Sequence, residues 1–249
     1  MPISTIRRLT GSVRTRNANY QLAAVLTFVA GATNAGGFLV VEQYTSHMTG
    51  ILAAVADNLI MANFKLVLSG IAAVLSFVAG AMVSTMLIKY NRRLGRQSEY
   101  AAPILLESLL LLGFGLLFNQ LDRFEWLFIP VTVWVLCFVM GLQNALITVM
   151  SLSEIRTTHV TGMVTDIGIE LGKLAYNYRL GADQQKSATH TNSHKLLLSM
   201  MLVFMFLAGG IIGAYGFKQV NYVFAISLSA ILLVLASVPI VDDLLQKLR

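Results

Sequence analysis

The chain has 249 residues, of which 56% are apolar and only 12% charged, against about 25% charged in ordinary soluble domains. A surface so poor in charge excludes a soluble globular protein. The formal charge of +6 comes from short basic clusters between apolar runs, which is a topology signal and not a nucleic-acid-binding face.

A helix needs about 20 apolar residues to cross the hydrocarbon core, and six stretches meet or approach that length. A basic segment, 1–19, carries Arg7, Arg8, Arg14 and Arg16 and precedes the first run at 20–41. Ala30-Gly31-Ala32 imitates a signal-cleavage site, but the run is long enough to span, so retention is expected. A short helix is expected at 47–61, then spans at 66–88 and 101–118 around the basic loop Lys89–Tyr100. After a junction at 119–125 come a span at 126–150, a second short helix at 158–172 and a polar loop, Asn177–His194. Spans at 196–217 and 221–240 and a tail at 241–249 complete the chain.

The two short helices follow copies of one polar signature, Thr45-Ser46-His47-Met48-Thr49-Gly50 and Thr157-Thr158-His159-Val160-Thr161-Gly162. Each signature lies downstream of an apolar stretch carrying Asn-Ala, at Asn34 and at Asn144. The offsets are 110 for the asparagines and 112 for the histidines, so repeat 1 (20–118) aligns with repeat 2 (126–240) almost without gaps. Internal duplication with polar residues at membrane depth is a common plan for transporters.

Basic residues stay on the cytoplasmic side of a membrane. If all eight helices spanned, twelve of the eighteen Lys and Arg residues would be cytoplasmic. If the two short helices are re-entrant, only Lys65, Arg123 and Lys218 are outside and fifteen are inside. The second arrangement is favoured. It describes an all-α polytopic membrane protein with six transmembrane helices and two re-entrant half-helices, built as two inverted repeats. Both termini are then cytoplasmic, and Ser46 and Thr158 are expected as N-caps near the midplane.

Paired helix N-termini at that depth would favour an anion or carboxylate. Ser46, His47, Thr49, Gly50, Thr158, His159, Thr161 and Gly162 are the expected substrate-binding residues, with the glycines permitting close approach of backbone or ligand. The same small residues also suit tight helix crossing. The histidines could cap, relay a proton or touch solute. Asp166 and Glu170, spaced i, i+4, share a helix face and, with Glu107, are candidates for a proton or cation path. The competing explanation is simple solvation at the interface. Glu107 would find a partner in Asn34, Asn144 or Gln143, while Asn34 and Asn144 could line a pathway or pin the re-entrant loops, pinning being favoured. The lone Cys137 excludes a disulfide or a thiolate metal site within one chain. No metal, cofactor or catalytic residue is expected.

The stretch Gly31–Ala35, the two signatures and the run Thr165–Gly172 resemble the YoaK-like family of bacterial multispanning membrane proteins, over Leu22–Ile240. That resemblance implies a bacterial inner-membrane location and a transport role, with no established substrate. Many members carry Asn after the Thr-Gly pair, where this chain has Ile51 and Met163. The expected function is transport of a small solute, an anion or carboxylate-bearing metabolite, with proton coupling open. The alternatives are a channel, or a non-transporting membrane enzyme or scaffold. The expected partners are the lipid bilayer and the solute, with no nucleic acid; a homo-oligomer is compatible with the sequence.

Overall fold

The computed structural model describes residues 7, 9–11, 15–117, 125–151, 157–180 and 191–247. The junction at 119–124 and parts of the 1–19 segment and of the 151–157 and 177–194 connections lie outside the described residues. The helices are α1 (Arg16–Val41), α2 (Met48–Ile60), α3 (Phe64–Arg93), α4 (Ala101–Leu117), α5 (Glu125–Met150), α6 (Val160–Leu180), α7 (Ser193–Val220) and α8 (Phe224–Lys247). A 3-10 turn at Asn221–Val223 separates the last two. No strand occurs among the described residues. The polar loop expected from Asn177 starts later, because α6 continues to Leu180.

Local chemistry sets the boundaries. Thr15 caps α1, its hydroxyl accepting from the Ala18 N–H at 3.3 Å. Asn192 caps α7 by accepting from the Lys195 N–H at 3.0 Å. α1 stops at Glu42, in the left-handed region at φ 54°, whose N–H donates to the Phe38 carbonyl at 2.8 Å. Asn221, at φ 52°, makes the corner between α7 and α8.

Four continuous helical stretches are long and apolar enough to cross a membrane: Arg16–Val41, Phe64–Arg93, Pro130–Met150 and Ser193–Gln246. The last contains both α7 and α8. The molecule is therefore a helical membrane protein. α4, with 17 residues, and α2, with 13, fall short of that length.

The main packed pairs are α1 with α7, α3 with α5 and α4 with α8, and α1 meets α5 between them. α2 packs on α3, and α6 on α7. Exchanging α1–α4 for α5–α8 maps these pairs onto one another. The match extends to single residues. Phe-x-x-Gly occurs at Phe28–Gly31 in α1, Phe77–Gly80 in α3, Phe138–Gly141 in α5 and Phe206–Gly209 in α7. A Cβ on Gly31 would overlap the Phe206 carbonyl oxygen, and one on Gly209 that of Phe28. A Cβ on Gly80 would overlap the Phe138 carbonyl, and one on Gly141 that of Phe77. Only glycine lets two backbones approach so closely, the usual device where lipid removes the hydrophobic drive between helices. At the α4–α8 crossing the Ser108 hydroxyl reaches the Ser229 carbonyl at 2.9 Å, and Ser229 reaches the Ser108 carbonyl at 2.8 Å.

Polar contacts tie three segments together at one end of the bundle. Arg7 holds Asp242 at 2.6 and 2.7 Å, keeping that carboxyl below its ordinary range chiefly through the hydrogen bond. Asp243 accepts from the Gln97 and Ser98 N–H groups at 2.8 and 3.0 Å, and Arg92 pairs with Glu99 at 3.0 Å. These contacts bring the residues before α1, the α3–α4 link and the end of α8 together.

Candidate functional site

The repeated asparagines hold the repeated signatures. Asn34 Oδ1 accepts from the Ser46 N–H at 3.1 Å and from the Ser46 hydroxyl at 3.0 Å. Asn144 Oδ1 accepts from the Thr158 N–H at 3.4 Å and the Thr157 hydroxyl at 3.3 Å. The Asn144 amide also donates to the Thr158 hydroxyl at 2.6 Å and the Met140 carbonyl at 2.9 Å. Asn34 lies seven residues before Val41, about 10 Å along the axis at ~1.5 Å per residue. Asn144 lies six before Met150, about 9 Å by the same rise. Each signature loop therefore folds back along the helix that precedes it. Of the two roles weighed for these asparagines, the hydrogen bonds are those of pinning.

The helix starts differ from expectation by one or two residues. His47, not Ser46, is the N-cap of α2, and it makes no side-chain capping bond; α6 begins at Val160, so Thr158 lies two residues before it. Ser46 and Thr158 instead serve the asparagine clasps. The glycines also have a nearer occupant than a solute. A Cβ on Gly50 would strike the His47 ring at Nδ1, 2.5 Å away, and one on Gly162 would overlap the His159 ring. His-x-x-Gly is thus a unit in which the imidazole lies over the first helical turn.

The signatures do not meet in one enclosed place. α2 and α6 do not form a packed pair. Thr45 and Thr157 are buried and Ser46 and Thr158 half-buried, whereas His47, Thr49, His159 and Thr161 are exposed on the single chain. What the first signature does border is a cavity of about 390 Å³ between the Glu42–His47 loop, α2 and α3, within the size range of small-molecule sites. Its polar lining is Glu42, Gln43, Tyr44, His47, Asn58 and Ser69, and Gly50 is also on its wall.

The matching place in the second half is bridged by ion pairs that border a cavity of about 770 Å³ lined by Glu170, Lys173, Asn192 and Lys195. Asp166 receives the Lys195 ammonium at 2.8 Å. Glu170 receives that of Lys173 at 2.8 Å and the Asn192 N–H at 2.8 Å. The acidic stripe thereby ties α6 to the start of α7.

Glu107 is different. It is wholly buried and its partner is Gln143, which donates to Glu107 Oε1 at 2.9 Å and to the Leu26 carbonyl at 3.0 Å. Asn34 and Asn144, the other partners considered, are engaged with the signature loops. Glu107 Oε2 and Gln143 Oε1 have no hydrogen-bond partner among the described residues. The amide thus joins α1, α4 and α5 around an acid that no cation faces among the described contacts.

Two sets of residues escaped the sequence-based expectation. The fourfold Phe-x-x-Gly was present as a string and could have been found by aligning the halves beyond the signatures. Glu42, Tyr44 and Ser69 carry no motif and come together only through the fold.

A helical membrane protein made of two matched halves, each with a signature loop clasped to its first long helix, is the class defined by these features. The chain belongs to the family described as "Protein of unknown function (DUF1275)", whose model matches residues 22–238. No curated protein and no solved structure matches it.

Proposed function

We propose that the protein is a transporter of a small carboxylate-bearing solute, working through two inverted repeats in a bacterial cytoplasmic membrane. In this account α1, α3, α4, α5, α7 and α8 span, while α2 and α6 are re-entrant half-helices entering from opposite faces. The observation that carries it is the exchange symmetry of the contacts: the four Phe-x-x-Gly crossings and the two asparagine clasps recur when the halves are swapped. The gathering of Arg7, the α3–α4 link and the end of α8 at one face further supports odd span numbers in each half. By the excess of basic residues this face is cytoplasmic, and the termini lie there.

The cavity beside α2 is the solute entrance. The α2 N-terminus, uncapped by a side chain, faces a carboxylate with its positive dipole end, and His47 and Gly50 line the approach. The matching elements of the second repeat, around Thr158, His159, Thr161 and Gly162, form the entrance from the other face in the alternate state. Glu107 with Gln143 is the place for proton coupling, because it links helices of both repeats.

A channel would give the same half-helix plan. Purified protein in liposomes separates the two: a carrier shows saturable counterflow of a carboxylate such as radiolabelled 4-aminobutyrate or succinate and no unitary current in a planar bilayer. Unitary currents would replace the carrier with a channel. The absence of both flux and current across a panel of carboxylates would favour a non-transporting role.

A further inference from the structure

We infer that the solute received by the α2–α3 cavity bears an ammonium group as well as a carboxylate, with Glu42 as the counter-charge. This deepens the transport account and rests on it. Among the described residues lining the cavity there is one fixed charge, the Glu42 carboxylate, and no Lys or Arg. Tyr44 adds an aromatic face, its ring half-exposed and stacked on Phe38 at 4.6 Å, of the kind that attracts cations. The Asn58 amide donates one of its two N–H groups to the Ala54 carbonyl at 2.7 Å, and its oxygen can accept from an ammonium. Carboxylate, amide oxygen and ring face together recognise an ammonium.

The second half carries an internal precedent. The histidine offset, 159 − 47 = 112, matches Ala54 with Asp166 and Asn58 with Glu170. The α3-to-α7 offset, 206 − 77 = 129, matches Leu66 with Lys195. Ala54, Asn58 and Leu66 all line the cavity, while their counterparts Asp166, Glu170 and Lys195 belong to the clamp of ion pairs and hydrogen bonds. Repeat 2 thus places its own ammonium groups between half-helix and long helix. Repeat 1 has apolar or neutral side chains at those positions, and Glu42 stands on the wall of its cavity. Glu42 is also held in a left-handed conformation, which strains a non-glycine residue; glycine would relieve that strain but remove the carboxylate.

The test needs no knowledge of the natural solute. Asn58→Cys and Ser69→Cys are made separately in the full chain; Cys137 is buried and acts as the unlabelled control. Reaction rates with aminoethyl, methyl and sulfonatoethyl methanethiosulfonate are measured, each divided by its rate with a free thiol in water. The cationic reagent is expected to react about tenfold faster than the anionic one, the size of effect one nearby carboxylate exerts at a surface-like dielectric. Adding Glu42→Gln should bring that ratio to near one. Equal rates with Glu42 present, or a ratio that Glu42→Gln leaves unchanged, overturn the ammonium assignment while leaving the cavity and the transport account standing. If even the neutral methyl reagent labels neither position, the cavity is closed to solutes and both fall.

Discussion

The two halves share their skeleton and differ in their charges. In each, a long helix crosses a partner on a Phe-x-x-Gly contact, an asparagine clasps the following signature, and a histidine lies over a glycine one turn into the half-helix. What is not shared is polar and local. Glu107 of the first half faces Gln143 of the second. The matching positions, by the Ser108–Ser229 offset of 121 and the asparagine offset of 110, are Leu228 and Thr33. Lys195 and Asp166 bridge α7 and α6, where the first half has the uncharged Leu66 and Ala54. Backbone geometry is what the two halves share; side-chain charge is where they diverge.

The sharpest way to break this comparison is at the crossings. Gly31→Leu, Gly80→Leu, Gly141→Leu and Gly209→Leu should each abolish the folded protein or cut its stability severely. Overpacking commonly costs about 1–3 kcal/mol, and here the obstacle is backbone. Gly172→Leu, where a Cβ meets nothing within 4 Å, should be nearly silent in thermal unfolding in detergent. A crossing glycine that tolerates leucine would separate its half from the common plan.

Next in size are the clasps. Asn144→Leu should lower stability by about 1–3 kcal/mol, the cost of stranding buried polar partners. Asn34→Leu should cost less, because among the described residues Asn34 makes two side-chain hydrogen bonds and Asn144 four. A coupled test sits in the same loops. Gly162→Ala should destabilise, and His159→Ala in the same chain should recover much of the loss, since the imidazole is what the new methyl meets. Additive effects would mean that ring and glycine are independent.

Smaller still is the clamp. Glu170→Gln should increase amide hydrogen exchange in the first turn of α7, where Asn192 donates to Glu170, while the matching Asn58→Leu should leave the first turn of α3 unchanged. The least effect is expected from Arg7–Asp242. Its folded carboxyl pKa is lowered, so its contribution is complete above the ordinary carboxylate range and is lost as pH falls through the folded value. The pair is partly exposed, and water screens it. Asp242→Asn should therefore remove only a small part of the acid-side slope in melting temperature.

Much of this fold was legible because lipid enforces simple rules. Six apolar runs appeared as helices within a few residues of expectation, and the Asn-Ala and His signatures marked the duplication. Glu107 was noticed because a buried acid is costly, and Gln143 was among its expected partners. The rest depended on three-dimensional neighbours. The glycines of the signatures looked like approach points for a ligand, but an imidazole three residues away in sequence occupies the space. Asp166 and Glu170 read as pathway groups or as solvated interface carboxylates, and their ion pairs were not legible because Lys173 and Lys195 sit on different turns and helices. Glu42 gave no signal, since a carboxylate after an apolar run reads as ordinary interface until α2 and α3 close around it.

The central claim is that the chain makes three crossings in each half, so that α2 turns back. It is tested most directly by the sidedness of Gln43 and Arg93. Gln43→Cys and Arg93→Cys are made separately and labelled with a membrane-impermeant maleimide in sealed vesicles of known orientation. The account predicts that Gln43→Cys is labelled from the outer face only and Arg93→Cys from the cytoplasmic face only. Labelling of both positions from the same face would mean that α2 crosses the membrane, and the inverted-repeat account would be wrong.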